Sequence, residues 1–128
     1  MARILVIDDE RLVRASIRAI LRREGHEIEE AGDGIAGVSA AEAADFDIAI
    51  VDIIMPIRDG IETMRLLRDR YPELRLIAMS GGGRVDSTEL LDKAREIGVA
   101  ATLLKPFHIR DLVTTVADVL ASHEQSVC

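Results

Sequence analysis

The sequence predicts a single α/β domain, a doubly wound (βα)5 sandwich with a five-stranded parallel sheet. Short continuous apolar runs, typical of strands buried on both faces, alternate with stretches of helical period. Five strand–helix repeats need crossover connections, and right-handed crossovers place helices on both faces of the sheet. The length of 128 residues fits one domain, because domains most often have roughly 100–150 residues.

The first half of the chain is predicted to contain three strands and two helices. Continuous apolar runs mark the first and third strands, and Gly25 ends the helix between the first two strands. A glycine–aspartate turn separates the weaker second strand from an alanine-rich helix. In chain order, the predicted elements are a strand at 4–7, a helix from 13 to 21 or slightly beyond, a strand at 27–31, a helix reaching 44, and a strand at 48–51.

The second half is predicted to contain two further strands and three helices. Asp59 can cap a helix that ends before Pro72, and Asp86 with Glu89 has the capping-box spacing of a helix closed by Gly98. The remaining elements are strands at 74–79 and 99–104 and a strongly amphipathic helix from 109 to 120. We therefore expect a domain over residues 1–121 and a frayed, polar C-terminal tail over 122–128.

The composition argues against a nucleic-acid-binding protein and against a membrane-inserted one. The chain has 16 Lys+Arg and 23 Asp+Glu, a net charge of −7, which argues against direct nucleic-acid binding through phosphate neutralisation. No apolar stretch approaches the ~20 residues that span a bilayer, so we expect no membrane insertion. Met1 leads directly into the first predicted strand, so we expect no signal peptide, and Cys128 is the single cysteine. These features predict a cytoplasmic protein.

Polar side chains follow the apolar runs of four predicted strands. Parallel strands end at one edge of the sheet, where ligands bind in doubly wound folds. The residues brought to that edge are Asp8 and Asp9, Asp52, Ser80, and Lys105. Helix capping would explain single aspartates there, but it would explain neither the serine nor the lysine.

The chemistry of this set is that of phosphoryl transfer to an aspartate. Three close carboxylates need a counter-charge, and Mg²⁺, or alternatively Mn²⁺, accepts oxygen ligands where phosphate is handled. Lys105 can pair with one carboxylate and an incoming anion, while the Ser80 hydroxyl and the Gly81 amide suit phosphate oxygens. An aspartate can attack phosphorus and form an acyl phosphate.

These residues resemble those of the response-regulator receiver domain of two-component signalling. The matching segments span most of the chain: Asp8-Asp9, Asp52 to Pro56 with Gly60, Ser80-Gly81, and Lys105-Pro106-Phe107. The resemblance implies a flavodoxin-like fold with strand order 2-1-3-4-5, as in the chemotaxis regulator. It also implies a phosphorylation-activated switch that catalyses its own phosphorylation and dephosphorylation but is not otherwise an enzyme.

The resemblance assigns the phosphoryl group and the metal to particular positions. Asp52 would be the phospho-acceptor, and Asp9 a direct Mg²⁺ ligand. Asp8 would bind the ion through water. Asp52 and the backbone carbonyl of Ile54 would complete the protein ligands.

The same resemblance assigns phosphate binding and switching. Lys105, Ser80, Gly81 and Ile54 would contact the phosphoryl group, and a cis peptide bond would precede Pro106. Ser80 would report phosphorylation by moving.

Two positions depart from the common family pattern. Thr102 stands where many members have an aromatic switch residue, so an aromatic rotamer switch is not expected. Ile54 stands where polar side chains are common, and its branched side chain predicts slow hydrolysis of the phospho-form.

A basic stripe on the first helix predicts a docking surface. Arg11, Arg14, Arg18 and Arg22 recur at helical spacing, and this family's first helix often meets the histidine kinase or phosphotransfer protein. We expect the first three arginines to complement an acidic patch there, although a solvated helix face explains the stripe equally well. The downstream protein partner is not indicated.

Two other functions fit parts of the sequence. A receiver-like docking module would never be phosphorylated, but such modules usually lose an acidic residue or the lysine. A haloacid-dehalogenase-type phosphatase also uses Asp, Ser, Lys and Mg²⁺, but it needs an Asp-x-Asp pair and a cap insertion, where this chain has Asp8-Asp9-Glu10. The chain can also be a fragment of a longer regulator.

Overall fold

The computed structural model describes residues 2–53, 60–81 and 87–127. Strands and helices alternate strictly. The strands are β1 (Arg3–Ile7), β2 (Glu27–Ala31), β3 (Ile48–Asp52), β4 (Arg75–Gly81) and β5 (Ala101–Lys105). The helices are α1 (Arg11–Arg23), α2 (Gly34–Ala43), α3 (Gly60–Arg70), α4 (Ser87–Ile97) and α5 (Ile109–Val127). The predicted number and order of elements are confirmed.

The five strands form one parallel sheet in the order β2-β1-β3-β4-β5, as predicted. Alternate side chains of each strand point to opposite faces. One face packs under α2, α3 and α4, where Ile7 and Val51 are fully buried, and the other packs under α1 and α5, where Val6 and Ile50 are fully buried. The central strands are therefore apolar on both faces, as the continuous runs indicate.

The element boundaries differ most from prediction in β4, β5 and α5. β4 continues through Ser80 and Gly81, and β5 begins at Ala101 and includes Lys105, because backbone pairing extends past the apolar run. α5 extends to Val127, beyond the predicted helix end at residue 120.

The glycines predicted to end α1 and α4 do so. Gly25 and Gly98 have φ of +89° and +98°, the left-handed conformation that glycine adopts without steric cost. The predicted capping residues Asp59 and Asp86 lie outside the described residues. Among the residues described, none of the helices combines the length and apolarity that crossing a bilayer requires.

Candidate functional site

The period of the strands brings three charged side chains to the same face of the sheet. Val6, Ile50 and Leu103 belong to the core under α1 and α5. Asp8, Asp52 and Lys105 each follow one of these residues by two positions, so their side chains lie on the same face. Asp8 and Asp52 are 0% and 4% exposed, so this is a buried charged cluster at the carboxyl edge of the sheet.

Lys105 is the cation at the centre of this cluster. Its Nζ lies 2.7 Å from Asp8 Oδ2 and 3.2 Å from Asp52 Oδ2. It also lies 3.6 Å from Glu10 Oε1. One ammonium group therefore holds together carboxylates from β3 and from the β1–α1 loop, and three of the sequence-predicted residues meet as expected.

Burial and the neighbouring charges shift the pKa values of Asp8 and Lys105 in opposite directions. Burial raises the pKa of Asp8 above its usual 3.8, outweighing the hydrogen bonds and the attraction of Lys105 that lower it. Burial lowers the pKa of Lys105, but hydrogen bonds and attraction to Asp8 and Asp52 dominate and hold it above 10.5. Lys105 therefore stays charged, while ionised Asp8 is incompletely compensated.

Four carboxylates converge beside Lys105. Asp8, Asp9, Glu10 and Asp52 each offer an oxygen ligand atom, and these atoms lie within 4.8 Å of one another. Clustered carboxylate oxygens suit a hard divalent cation, and Asp9 and Glu10 are exposed on the side where an ion would enter. The donor set therefore fits Mg²⁺. Glu10 was missed from the sequence, although its position directly after two aspartates was a signal.

Ser80 contributes a buried polar atom that has no partner among the described residues. Its side chain is fully buried and its Oγ makes no hydrogen bond there. A buried hydroxyl without a partner is costly, and a phosphoryl oxygen would satisfy it. Gly81 follows, half-buried at the end of β4.

Thr102 lies on the same face of the sheet as Ser80. Ser80 pairs in register with Leu104, and Thr102 pairs with Ala78, which is two residues before Ser80 on β4. Since side chains two residues apart on a strand share a face, Ser80 and Thr102 point to the same side of the sheet. Thr102 is half-buried. This geometry permits a coupling between the two positions without an aromatic side chain.

Part of the predicted site lies outside the described residues. Ile54, predicted to offer its carbonyl to the metal and to slow hydrolysis, is among them. The peptide bond between Lys105 and Pro106 is cis, as predicted.

The basic stripe of α1 is largely engaged within the chain. Arg14 and Arg18 both pair with Glu30 of β2 at 3.1 Å, and Arg14 Nη1 donates to the Asp8 carbonyl at 2.7 Å. Arg11 is exposed. The arginine spacing indicated a uniform face, but Glu30 on β2 pairs with the two central arginines of the stripe. Of the three arginines predicted to dock a partner, Arg11 is therefore the exposed one without such a pair among the described residues.

The raised pKa of Asp8 predicts how its replacement affects stability. An acid whose folded-state pKa is raised favours folding in its neutral form, and this contribution is lost as the pH rises through the folded pKa. We expect Asp8→Asn to raise the free energy of unfolding at pH 7 in the absence of metal. The gain should shrink on acidification towards pH 4, and urea unfolding across this range measures it. A variant less stable than the parent at pH 7 would contradict the argument.

Comparison with known proteins identifies the family. The family model described as "Response regulator receiver domain" matches residues 4–117. The chain belongs to the response regulator receiver domain family. This membership is consistent with a phosphorylation-activated switch of two-component signalling, and it favours neither the docking-module nor the phosphatase alternative. Magnesium and a phosphoaspartate are typical of this family.

Relatives and solved structures of this family cover nearly the whole chain. It is 38% identical over 117 residues to the transcriptional regulatory protein PdtaR of Mycobacterium tuberculosis, covering 89% of this chain and 54% of PdtaR. It is 30% identical to the chemotaxis protein CheY of Halobacterium salinarum, covering 93% and 97%. The crystal structure of a CheY-like receiver domain protein from Methanospirillum hungatei superposes with a TM-score of 0.91 at 28% identity, covering 98% of each chain. The receiver thus spans about half of one relative and nearly all of another.

Proposed function

We propose that Asp52 accepts a phosphoryl group from a phosphohistidine of a histidine kinase or phosphotransfer protein. The observation that carries this proposal is the position of Lys105, whose ammonium bridges the buried carboxylates of Asp52 and Asp8. A fixed cation beside a buried carboxylate is suited to neutralising the charge that develops on a transferring phosphoryl group.

The proposed reaction needs only groups that the receiver and its donor supply. An Asp52 carboxylate oxygen attacks phosphorus, the new O–P bond forms, and the P–N bond to the donor imidazole breaks. The departing imidazole nitrogen keeps the electron pair, and the ring leaves as neutral imidazole because its second nitrogen already carries a proton. Lys105 stabilises the phosphoryl oxygens, and Ser80, with the Gly81 amide, binds them as the transfer proceeds.

The acidic cluster is proposed to hold Mg²⁺ for this reaction, with Mn²⁺ as a substitute. Asp9 and Asp52 would bind the ion directly, Asp8 through water, and the Ile54 carbonyl would complete the set. When bound, the ion would neutralise carboxylate and phosphoryl charge. Glu10, the fourth member of the cluster, would add negative charge at its exposed rim.

We further propose that the receiver catalyses its own phosphorylation and dephosphorylation, so no separate enzyme is needed for the chemistry. The phospho-form changes binding to a downstream protein through Ser80 and Thr102. The unit over residues 1–121 would carry these activities, in the cytoplasm, without binding nucleic acid itself.

The mouth of the site offers a surface for the phosphoryl donor. A cavity of about 580 Å³ is lined by residues of the α1 N-terminus and of the β5–α5 loop, and by Lys105 and Gly81. Leu12, at its rim, is 81% exposed. We propose that the donor docks here, with Leu12 supplying apolar contact and Arg11 supplying charge.

Intact-mass spectrometry tests the proposed function. After incubation with Mg²⁺ and a small acyl phosphate, the parent should gain one phosphoryl group, and Asp52→Asn should gain none. Omitting Mg²⁺ should suppress the gain in the parent. Gain in both proteins would move the acceptor elsewhere, and failure of the parent with every donor, including a phosphorylated kinase, would reject the proposal.

A further inference from the structure

Arg14 is the point where α1 contacts the loop that carries the acidic cluster. Its Nη1 donates to the backbone carbonyl of Asp8 at 2.7 Å, and its Nε donates to Glu30 Oε1 at 3.1 Å. The guanidinium side chain is 17% exposed and the Glu30 carboxylate 22%. This is a largely enclosed, charge-assisted fork rather than a solvated ion pair.

The loop after β1 is also held by backbone contacts, besides the ion pairs of Lys105 with Asp8 and Glu10. Asp8 N–H donates to the Ala31 carbonyl at 3.1 Å, and Asp8 Oδ1 accepts from the Glu10 amide at 2.8 Å. The N-cap residue of α1, Glu10, makes no side-chain capping bond. Arg14 therefore ties the backbone carbonyl of Asp8 to α1, and it reaches back past the N-cap residue Glu10 to do so.

We infer that Arg14, held by Glu30, is a positioning residue that presets the β1–α1 loop for divalent-cation binding. The inference rests on the proposed function, because it takes the acidic cluster to be the cation site. Arg14 contacts no carboxylate of that cluster; it fixes the backbone from which Asp8, Asp9 and Glu10 project. Glu30 acts through Arg14 by fixing the plane of the guanidinium.

The alternative role of Arg14 is structural only, joining α1 to β2. The two roles differ in one measurable respect. A purely structural fork contributes to the free energy of unfolding but leaves the cation affinity of the folded protein unchanged. If the contacts of Arg14 position the loop, their loss changes that affinity even at temperatures where every variant is fully folded.

Calorimetric titration of the metal-free protein with MgCl₂ tests the inference. Arg14→Lys keeps the positive charge but cannot make both contacts, so the Mg²⁺ dissociation constant should rise about tenfold, within the range seen when residues behind a metal ligand are lost. Glu30→Gln should raise it less. The double variant should match Arg14→Lys alone, since Glu30 acts through Arg14.

Arg23→Gln is the matched control, because it changes an exposed arginine of the same helix and should leave the constant within twofold of the parent. Amide hydrogen exchange at Glu10 should accelerate in Arg14→Lys and Glu30→Gln. If the parent binds Mg²⁺ and both variants bind it within twofold of the parent, the inference is wrong while the proposed function stands. If the parent itself binds no Mg²⁺, the proposed cation site fails and the inference fails with it.

Discussion

Lys105→Met is expected to slow phosphorylation by a small acyl phosphate about a hundredfold, the usual effect of removing one preorganised charge donor from an active site. Lys105 Nζ lies between Asp8 and Asp52, where the charge of the transferring group would develop. The same change should not weaken Mg²⁺ binding, because it removes a positive charge beside the carboxylates that attract the ion. Rates measured by intact mass, together with calorimetric Mg²⁺ affinities, test this divergence.

Lys105→Arg is the control for charge. It keeps the positive charge on a side chain of different shape, so it should retain more of the phosphorylation rate than Lys105→Met does. Circular dichroism establishes that both variants are folded before their rates are compared. A methionine variant phosphorylated at the parent rate would show that Lys105 contributes only to stability.

Gly60→Ala is expected to be strongly destabilising, although alanine usually favours a helix over glycine by roughly 1 kcal/mol. Gly60 begins α3 against the end of β3, where an added Cβ would overlap the carbonyl oxygen of Asp52 and the Cα of Ile53. Both are backbone atoms, which cannot rotate away. We expect a loss of about 3 kcal/mol, at the upper end for overpacking, measured by urea unfolding.

Gly81→Ala is the matched control for stability. A Cβ on Gly81 meets nothing within 4 Å, so the free energy of unfolding should change by no more than about 0.5 kcal/mol, as for other substitutions without a clash. Equal stability of Gly60→Ala and the parent would mean that the contact between α3 and β3 relaxes at little cost. The displaced Asp52 backbone should also lower the phosphorylation rate of Gly60→Ala.

The number and sequence of strands and helices were predictable from local signals along the chain, whereas the strand order followed from the family resemblance. Fully buried strands must be apolar throughout, and Gly25 and Gly98 mark helix ends by a backbone conformation that other residues rarely adopt. The end of α5 was not predictable, since a polar sequence such as the one after Ala121 is compatible with both helix and coil.

The meeting of the buried charges was predictable for a topological reason. Parallel strands end at one edge, so Asp8, Asp52 and Lys105 had to converge once the strands were placed. The roles of Arg14 and Glu30 were not predictable, because their contact depends on the packing of α1 over β2. The spacing of the arginines shows that one face of α1 is basic. It does not show which of these arginines pair with a carboxylate on a neighbouring strand.

The most direct test of the central claim is to find the atom that carries the phosphoryl group. The protein would be phosphorylated with a small acyl phosphate and Mg²⁺, treated with borohydride, which reduces an acyl phosphate to an alcohol, and mapped by peptide mass spectrometry. Homoserine is expected at position 52 alone, dependent on both Mg²⁺ and the phosphodonor. Homoserine at Asp8 or Asp9, or reduction that does not depend on the phosphodonor, would contradict it.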